Sequence, residues 1–596
     1  MPRVPSADHW KTLSPVLVAL AIFAITPLPV TGQPVNGGLS FSRFESPALA
    51  EADSRISSHL IGLVEANRSM VSSPAVTFDR LGRVRVLIRC DSVDEALLRN
   101  LRRVGVGISG THVPSGTLTG WVMPSRLRAV AMVDGVRGIR PPIPAFHRTG
   151  SVTSEGDVVH QSSVVRGTTT LSGAGVRVGV ISTGINNLAL SQASGDIPAS
   201  VIPGVTAISS RGDGDLDAGG DGTALLEIIT DIAPNAELYF TNAELPVEFV
   251  NAVDLMRNTF GVDIVLDNLG YFGQPFFADG FITTAVEEAV ADGITWITAA
   301  GNEGDTHWEG DYVDINPLTD TVSADQEDFH DFGGGDEFLA VTISPHSELT
   351  VVMQWNDEFG ASGNDYNLFL YDAGESTLLE ASLDTQNGDD DPLEFVICQN
   401  NSAAPLVVNI AVDKYSPNTD QDVTLELFAL GRVLLPGATG QVVFNEHSVA
   451  SGSIFGHPGS EDVITVGAIG YSDPGWNNVQ DFSSRGPVRI DFPALDSRSK
   501  PNICGIDEVT VTGNGPVSVP FTGTSVAAAH VAGIAALLLE HAPHLDPTGI
   551  RAGLQSGAVD IETAGFDNIS GAGRADALAT ITGATTVAAQ SWNLYR

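Results

Sequence analysis

The stretch FTGTSVAAAHVAGIAALLLE, residues 521–540, predicts a tight turn followed by a long helix of small apolar residues. Gly523 and Thr524 form the turn, and Ser525 falls in the first turn of the helix. This position suits a nucleophile, because unpaired backbone N–H groups and the positive end of the helix dipole face developing negative charge there. A serine at a helix start is also a common N-cap, so the residues alone leave both roles of Ser525 open.

The chain before this helix alternates between apolar strands and helical patterns from about residue 175 onward. The segments are VRVGVIS (176–182), TALLEIITDI (223–232), AELYFTN (236–242), VDIVLDNLG (262–270), ITTAVEEAVADG (282–293) and ITWITAAGN (294–302). Apolar strands that alternate with helices are typical of a parallel sheet buried between helices. The sequence therefore predicts an α/β fold, and the same pattern resumes at DVITVGAIG, residues 462–470.

The α/β pattern is interrupted between about residues 309 and 440. The interruption contains six short runs in which apolar and polar residues alternate: FLAVTIS, ELTVVMQW, DYNLFLYD, LEFVICQN, PLVVNIAV and VTLELFAL. Short strands separated by turn signals predict an inserted β-sandwich.

A smaller α+β unit is predicted near the N-terminus, between about residues 80 and 142. RVRVLIRC (83–90) alternates as a half-buried strand does, and DSVDEALLRNLRRVG (91–105) has the pattern of a helix that stops at a glycine. Residues 83–148 contain eleven arginines and only four acids, within a chain of 30 basic and 72 acidic residues. We therefore expect this basic unit to dock on the acidic remainder of the chain.

Charge and the N-terminal residues limit the partners and the compartment. A net charge of −42 argues against nucleic acid and anionic membranes as partners. Arg3 and Lys11 precede the apolar run SPVLVALAIFAITPLPV (14–30), which Pro27 and Pro29 interrupt near its end. This pattern predicts a secretory signal peptide over residues 1–32 and therefore a secreted, extracellular protein. We expect no membrane span in the mature chain.

The three cysteines, Cys90, Cys398 and Cys504, lie far apart in the sequence and lack metal-ligand spacing. We therefore expect neither a disulfide framework nor a zinc site. Acids alternate between residues 213 and 217, as they do in calcium loops, but Ala218 stands where such a loop needs its turn glycine. We interpret this segment as a solvated acidic loop.

The pattern Gly-Thr-Ser-x-Ala-x-x-His-Val-Ala-Gly, residues 523–533, resembles the serine motif of the subtilisin-like peptidases, the subtilase and sedolisin clan. FSSRGP (482–487) and AAGNEG (299–304) resemble two further parts of that family. The resemblance implies a subtilisin-like fold with Ser525 as the nucleophile. It also implies that Asn302 and the backbone N–H of Ser525 form the oxyanion hole.

The two other positions of the family's catalytic triad depart from its pattern. In VISTG (180–184) Ser182 replaces the aspartate, and in DGT (221–223) Asp221 replaces the histidine. A histidine normally takes the serine proton while a buried carboxylate orients it, and neither group is present at these positions. The acid-active sedolisins use a carboxylate at the same helix position, which implies that Asp221 is the base and that activity peaks at acidic pH. Their second acid falls at Leu225.

Asp267 is the candidate for a second acid, since it ends an apolar strand and active sites of open α/β sheets lie at the carboxyl ends of strands. Neighbouring carboxyls can share a proton, which raises the pKa of one of them. Asp221 and Asp267 are therefore hypothesised to form a pair, with a hydrogen-bonded strand-end acid as the alternative role of Asp267. Glu227 and Asp231 are interpreted as part of an exposed polar helix face.

The resemblance implies a secreted serine endopeptidase with protein or peptide substrates, made as a zymogen whose own inhibitory propeptide is a partner. The alternative is a catalytically dead pseudopeptidase that binds peptides or proteins through the same cleft. No cofactor is certain, although the resemblance leaves a structural calcium ion open. Propeptide release is expected in the segment 141–157, with Arg148 as a candidate cleavage site.

These expectations divide the chain into seven parts. They are a signal peptide (1–32), a linker (33–79), a propeptide-like α+β unit (80–150), a first peptidase segment (151–308), an inserted β-sandwich (309–440), a second peptidase segment (441–585) and a tail (586–596).

Overall fold

The computed structural model describes residues 52–64, 76, 78–79, 81–142, 154–197, 208–211, 213–217, 219–313, 329–415, 423–435, 438–512 and 520–584. The predicted signal peptide (1–32), the tail (586–596) and Arg148 lie outside the described residues.

The N-terminal unit is a four-stranded antiparallel sheet packed against short helices. Its elements are α1 (Ser58–Val64), β1 (Val84–Cys90), α2 (Glu95–Val104), β2 (Gly107–His112), β3 (Thr117–Val122), a 3₁₀ turn (Pro124–Arg126), α3 (Leu127–Ala131) and β4 (Val136–Arg140). The strand order is β2-β3-β1-β4. Val84, Val86 and Ile88 are buried on one face of β1, as the alternation in that segment predicts.

Residues 33–79 are not merely a linker, so this predicted boundary is wrong. Ala52, Ile56 and Leu60 are all buried in the core of the N-terminal unit, where Ile56 pairs with Ile139 of β4 and Leu60 lies on α1. Helix α1 therefore belongs to that unit. The signal is easily overlooked because the run is short and its neighbours are weakly patterned.

Residues 156–299 contain helices and strands in alternation. They are α4 (Gly156–Val159), α5 (Ser162–Thr168), β5 (Arg177–Ser182), α6 (Leu188–Ser194), α7 (Asp221–Ile232), β6 (Glu237–Asn242), α8 (Pro246–Asp254), a π-helical turn (Leu255–Phe260), β7 (Ile264–Asp267), α9 (Phe281–Ala291) and β8 (Thr295–Ala299).

The inserted domain is a sandwich of two antiparallel sheets. Its strands are β9 (His307–Asp311), β10 (Leu339–Ile343), β11 (Ser347–Trp355), β12 (Tyr366–Asp372), β13 (Leu378–Ser382), β14 (Leu393–Asn400), β15 (Leu406–Lys414), β16 (Thr424–Val433) and β17 (Val442–Phe444). The strand orders are β13-β12-β15-β10-β17 and β14-β11-β16-β9. Because β9 pairs with β16 and β17 with β10, the sandwich extends a few residues beyond the predicted limits of 309 and 440 at both ends.

Residues 457–557 complete the central sheet. Their elements are a 3₁₀ turn (His457–Gly459), β18 (Ile464–Gly470), β19 (Val488–Ile490), β20 (Asp496–Arg498), β21 (Ile503–Asp507), α10 (Thr524–His541) and α11 (Pro547–Gly557). The central sheet has six parallel strands in the order β21-β18-β8-β7-β5-β6. The predicted α/β class, with a small α+β unit before it and a sandwich inserted in it, is confirmed.

Helices cover both faces of the central sheet. Val180 and Leu266 belong to the core that the sheet shares with α7 and α10. Val265 and Trp296 belong to the core on the opposite face, with α8 and α9. Since neighbouring residues of a strand point to opposite faces, this assignment fixes the direction of every side chain along these strands.

Helix α10 lies close to α7 because a glycine stands at the contact. A Cβ atom built on Gly533 would lie 2.5 Å from Cβ of Ile232. Helix α10 is also long and apolar enough to cross a membrane, but most of it is buried inside the protein. A buried core helix passes that test as readily as a membrane span does, so α10 gives no evidence for one.

The three cysteines lie in three different cores. Cys90 is buried in the N-terminal unit and Cys504 in the core beneath α10, while Cys398 packs against the core of the sandwich. All three are free thiols.

Candidate active site

The candidate catalytic residues gather at the carboxyl edge of the central sheet. Strands β5, β8 and β21 are parallel and end at this edge, at Ser182, Ala299 and Asp507. Helices α7 and α10 both follow such strands and cover the same face of the sheet. Their N-termini, at Asp221 and Thr524, therefore lie at the edge where ligands bind in open α/β sheets.

Ser525 is the second residue of α10 and is only 1% exposed. Gly523 precedes the helix with φ of 137°, a backbone conformation that favours glycine. Its N–H donates a hydrogen bond of 2.9 Å to Oδ2 of Asp507. The turn that carries the serine is thus held against the end of β21.

Asn302 lies beyond the end of β8 and contacts the same turn. Its Oδ1 accepts hydrogen bonds from the backbone N–H of Thr524 at 2.8 Å and from the Thr524 hydroxyl at 3.2 Å. These bonds fix which end of the amide faces the helix, so the Nδ2 group is the donor that remains for a ligand. The predicted oxyanion-hole role requires an amide donor of this kind.

Asp221 begins α7 and is 1% exposed. The hydroxyl of Thr183, the first residue after β5, donates a hydrogen bond of 3.3 Å to its Oδ2. The carboxyl group is therefore held at the start of a helix on the same side of the sheet as Ser525. A buried carboxyl group in this place can accept a proton from a neighbouring hydroxyl.

Ser182 ends β5 and is completely buried. Its hydroxyl has no hydrogen-bond partner among the residues that the structure describes. Ser182 alternates with Val180, so its side chain points to the face covered by α7 and α10. The position faces the site but supplies no charge to it.

Asp267 does not form the hypothesised pair with Asp221. It alternates with Val265, so its side chain points to the opposite face of the sheet, toward α8 and α9. There its carboxylate accepts hydrogen bonds from Trp296 Nε1 at 2.6 Å and from the Thr298 hydroxyl at 3.0 Å. The alternative role, a hydrogen-bonded strand-end acid, describes Asp267 correctly.

The partner that the sequence does not reveal is His457. Its Nε2 lies 3.0 Å from Oδ1 of Asp267, and both side chains are buried. The two residues are 190 positions apart, and His457 lies in a turn without a recognisable motif. No local pattern could have joined them.

The expected exposed face of α7 is also wrong. Glu227 is buried and accepts hydrogen bonds from the backbone N–H and the hydroxyl of Thr512. Asp231 accepts one from the backbone N–H of Ser154, and burial raises its pKa to about 7. Segments distant in the sequence cover this polar stripe, and a helical periodicity cannot show that.

Asp507 is a contributor to the site that sequence reasoning missed. It is completely buried, and besides Gly523 it binds Nε2 of Gln480 at 3.3 Å. Burial raises the pKa of its carboxyl group to about 7. Asp507 ends an apolar strand, so the rule that selected Asp267 would have selected it too.

A cavity of about 50 Å³ lies beside Asn302. Its walls come from four segments, within residues 268–275, 280–283, 299–303 and 455–458. They are mostly apolar, with Glu303 and His457 among the polar lining residues. A cavity next to the candidate residue Asn302 can hold part of a bound ligand.

Groups that could hold a metal lie outside this edge. Among the described residues, Asp336, Glu446 and His447 of the sandwich bring their ligand atoms within 4.8 Å of one another. In the acidic loop before α7, Asp213 is exposed and forms an ion pair with Arg211 at 2.9 Å. Neither group contacts the catalytic candidates.

Comparisons with known proteins find a family model and several similar proteins. Residues 397–573 match the model of the Subtilase family. Fervidolysin from Fervidobacterium pennivorans is 35% identical over 127 residues, which are 20% of this chain and only 17% of that relative. The structure of the Clostridium perfringens CspB protease aligns over 72% of this chain and 99% of that chain, with 15% identity and a TM-score of 0.47.

The crystal structure of fervidolysin, described as a keratinolytic enzyme related to subtilisin, aligns over 84% of this chain and 61% of that chain. The identity is 14% and the TM-score 0.38.

Proposed function

The chain carries a subtilase-family domain, and on this premise we propose that it is a serine endopeptidase that hydrolyses peptide bonds through an acyl-enzyme on Ser525. One observation carries the proposal: the residue before Ser525 is hydrogen-bonded through its N–H to Asn302. A nucleophile at a helix start and an oxyanion-hole amide are thereby held together. Proteins or peptides are the substrates of such a domain.

In the proposed first step, Oγ of Ser525 attacks the carbonyl carbon of the peptide bond, and its proton passes to the Asp221 carboxylate. The negative oxygen of the tetrahedral intermediate accepts hydrogen bonds from Asn302 Nδ2 and from the backbone N–H of Ser525. The carbon–nitrogen bond then breaks, and the departing amine takes the proton from Asp221. An ester on Ser525 remains.

In the second step, a water molecule attacks this ester while Asp221 accepts its proton. The new intermediate expels Oγ of Ser525, which takes the proton back, and the carboxylic acid product leaves. Because an aspartate has an ordinary pKa of about 3.9, it is a weak base at neutral pH. We therefore propose that turnover peaks in the acidic range.

The proposal includes export and a zymogen stage. The apolar run within residues 1–32 supports a signal peptide, and the basic N-terminal unit supports a propeptide that covers the peptidase domain. Release by a cut in the segment 141–157, for example after Arg148, would produce the mature enzyme.

A fluorophosphonate probe tests the nucleophile directly. The purified protein is incubated with the probe from about pH 3 to pH 9, with Ser525→Ala as the control. We expect labelling that depends on Ser525 and increases toward acidic pH. Absence of labelling at every pH, in protein shown to be folded by circular dichroism, would overturn the proposal and leave a non-catalytic peptide-binding protein.

A further inference from the structure

The N-terminal unit rests on the peptidase domain through one set of contacts. Arg85 of β1 forms ion pairs with Glu244 at 3.2 Å and with Glu248 of α8 at 3.3 Å. His112 of β2 stacks on Phe281 of α9, with ring centroids 4.9 Å apart. The sheet of the unit therefore covers the helices α8 and α9.

The same sheet also contacts the inserted sandwich. Arg89 of β1 forms an ion pair with Asp391. Arg137, on the adjacent strand β4, lies 3.6 Å from Oδ2 of Asp389. Both acids belong to the segment between β13 and β14 of the sandwich, so two neighbouring strands bind one stretch of the inserted domain.

Helix α1 adds a third contact with the sandwich. The backbone N–H of Ser58 donates a hydrogen bond of 2.5 Å to Oδ1 of Asp384. The ring of His59 stacks on Phe395, with centroids 4.2 Å apart and planes inclined by 10°. This contact is partly apolar and buried, and it lies at the end of the unit remote in sequence from β4.

The acids that receive these contacts are crowded. We call residues 384–391, which include Asp384, Asp389, Asp390 and Asp391, the acidic edge of the sandwich. Burial, together with the charges of its neighbours Asp389 and Asp391, raises the pKa of Asp390 to about 7. Arginine side chains placed against this edge offset the repulsion among its carboxylates.

We propose that the acidic edge is a second docking surface for the basic N-terminal unit and keeps this unit bound after the chain has been cut. All the contacts described above lie before residue 113, at Arg137 or beyond residue 243, so a cut between residues 142 and 154 removes none of them. The sandwich is joined to the peptidase domain at both of its ends, which holds the edge in place. The occupant of this surface is the basic N-terminal unit of the same chain, and salt should control its release because it screens the charge pairs.

Retention of the cut fragment tests this proposal. A recognition sequence for a site-specific protease replaces residues 145–150 in the full chain, which also carries Ser525→Ala so that the result does not depend on catalysis. After cleavage, gel filtration in about 0.05 M and about 1 M salt measures how much N-terminal fragment stays with the remainder. We expect retention in low salt and release in high salt.

Two double variants assign the retention to the acidic edge. Asp389→Asn with Asp391→Asn should accelerate dissociation about 10- to 100-fold in low salt, because each change removes one partner of a charge pair. Glu375→Gln with Glu461→Gln, two exposed acids elsewhere, is the control with the same change in net charge. It should leave the dissociation rate unchanged.

Exchanging the charges of Arg89 and Asp391 separates a lost ion pair from a misfolded variant, because the second substitution should restore what the first one removes. Asp391→Arg alone should release the fragment, and adding Arg89→Asp should restore retention. Equal retention with and without the acids at 389 and 391 would overturn the proposal. Immediate loss of the fragment from the unaltered protein in low salt would overturn it as well.

Discussion

At the scale of single residues, the candidate site departs from a serine–histidine–carboxylate arrangement at two positions, Ser182 and Asp221. Ser182 ends β5 without a charge, and Thr183 after it donates a hydrogen bond to Asp221. Only one carboxyl group is thus held at the start of α7, on the Ser525 side of the sheet. Proton transfer in the proposed reaction depends on that group alone.

Replacing Asp221 by asparagine should therefore lower kcat by about 10²- to 10⁴-fold, since the amide keeps the shape but cannot take the serine proton. KM should change little, because Asp221 is not one of the residues that line the cavity beside Asn302. Asp217→Asn, at an exposed acid of the preceding loop, is the control. Unchanged kcat for Asp221→Asn across the pH range would exclude Asp221 as the base.

Asp267 should behave as a structural residue. Asp267→Ala leaves His457 buried without its carboxylate, which should reduce the free energy of unfolding by about 3–5 kcal/mol. Urea denaturation measures this loss. The double variant Asp267→Leu with His457→Leu should lose less stability than the sum of the losses from Asp267→Leu and His457→Leu made separately. The pH at which turnover is highest should not move. A shift of that pH would restore the idea of a carboxyl pair with Asp221.

At the scale of elements, the catalytic geometry depends on how α7 and α10 pack. Gly533 of α10 lies against Ile232 of α7. A shift of α7 would displace Asp221 at its start, and a shift of α10 would displace Ser525 at its start. Close packing of buried helices transmits such shifts, because interiors have few voids to absorb them. The glycine is therefore a structural requirement of the candidate active site.

Gly533→Ala tests this requirement, because its effect on the free energy of unfolding should be opposite to the usual effect of replacing a helical glycine by alanine. An alanine normally stabilises a helix relative to glycine by roughly 0.5–1 kcal/mol. At residue 533 the new Cβ would meet Ile232 at 2.5 Å, so we expect a loss of about 1–3 kcal/mol instead. Gly167→Ala in α5, where nothing lies within 4 Å, should be neutral or stabilising. Equal effects of the two substitutions in urea denaturation would contradict the packing argument.

The strands and helices of the central sheet could be predicted from the sequence because their apolar runs are long and continuous. Helix α1 and the buried face of α7 could not, for different reasons. Ala52, Ile56 and Leu60 are buried, but they stand among polar residues in a segment too short to show a clear helical pattern. Glu227 looks exposed by helical periodicity, since only folding brings Thr512 over it.

The same limit applies to the candidate site. Motif spacing selected Ser525 and Asn302 as candidates, and the structure brings their segments together through Thr524. The direction of Asp267 depends on which face of the sheet its strand end presents. A continuous apolar strand buried on both faces carries no alternation from which that direction could be read.

At the scale of the whole molecule, buried titratable groups couple stability to pH in two opposing ways. Burial raises the pKa of five carboxyl groups to about 6 or 7: Asp231, Glu309, Asp365, Asp390 and Asp507. Burial lowers the pKa of three histidines to about 4: His160, His307 and His330. The two sets bind protons differently in the folded and unfolded states over overlapping pH ranges.

The carboxyl groups should decide whether the stability of the protein rises or falls with pH. Between about pH 4 and pH 7 the folded protein holds protons that the unfolded chain has released, so their contribution to stability is complete below about pH 4 and is lost as pH rises through 7. The histidines act in reverse, since the unfolded chain binds protons that the folded protein excludes, and their contribution is lost as pH falls from about 6.5 to 4. The carboxyl groups are more numerous, and above pH 6.5 they act unopposed.

We therefore expect the Tm to be higher at pH 5.5 than at pH 8, measured by calorimetry at constant ionic strength. The net charge of −42 acts in the same direction, because protonation of acids reduces self-repulsion in the compact state. Asp507→Asn should make the Tm less dependent on pH, since this amide does not titrate. A Tm that rises steadily from pH 5.5 to pH 8 would show that the buried histidines dominate, and it would count against an enzyme suited to acidic surroundings.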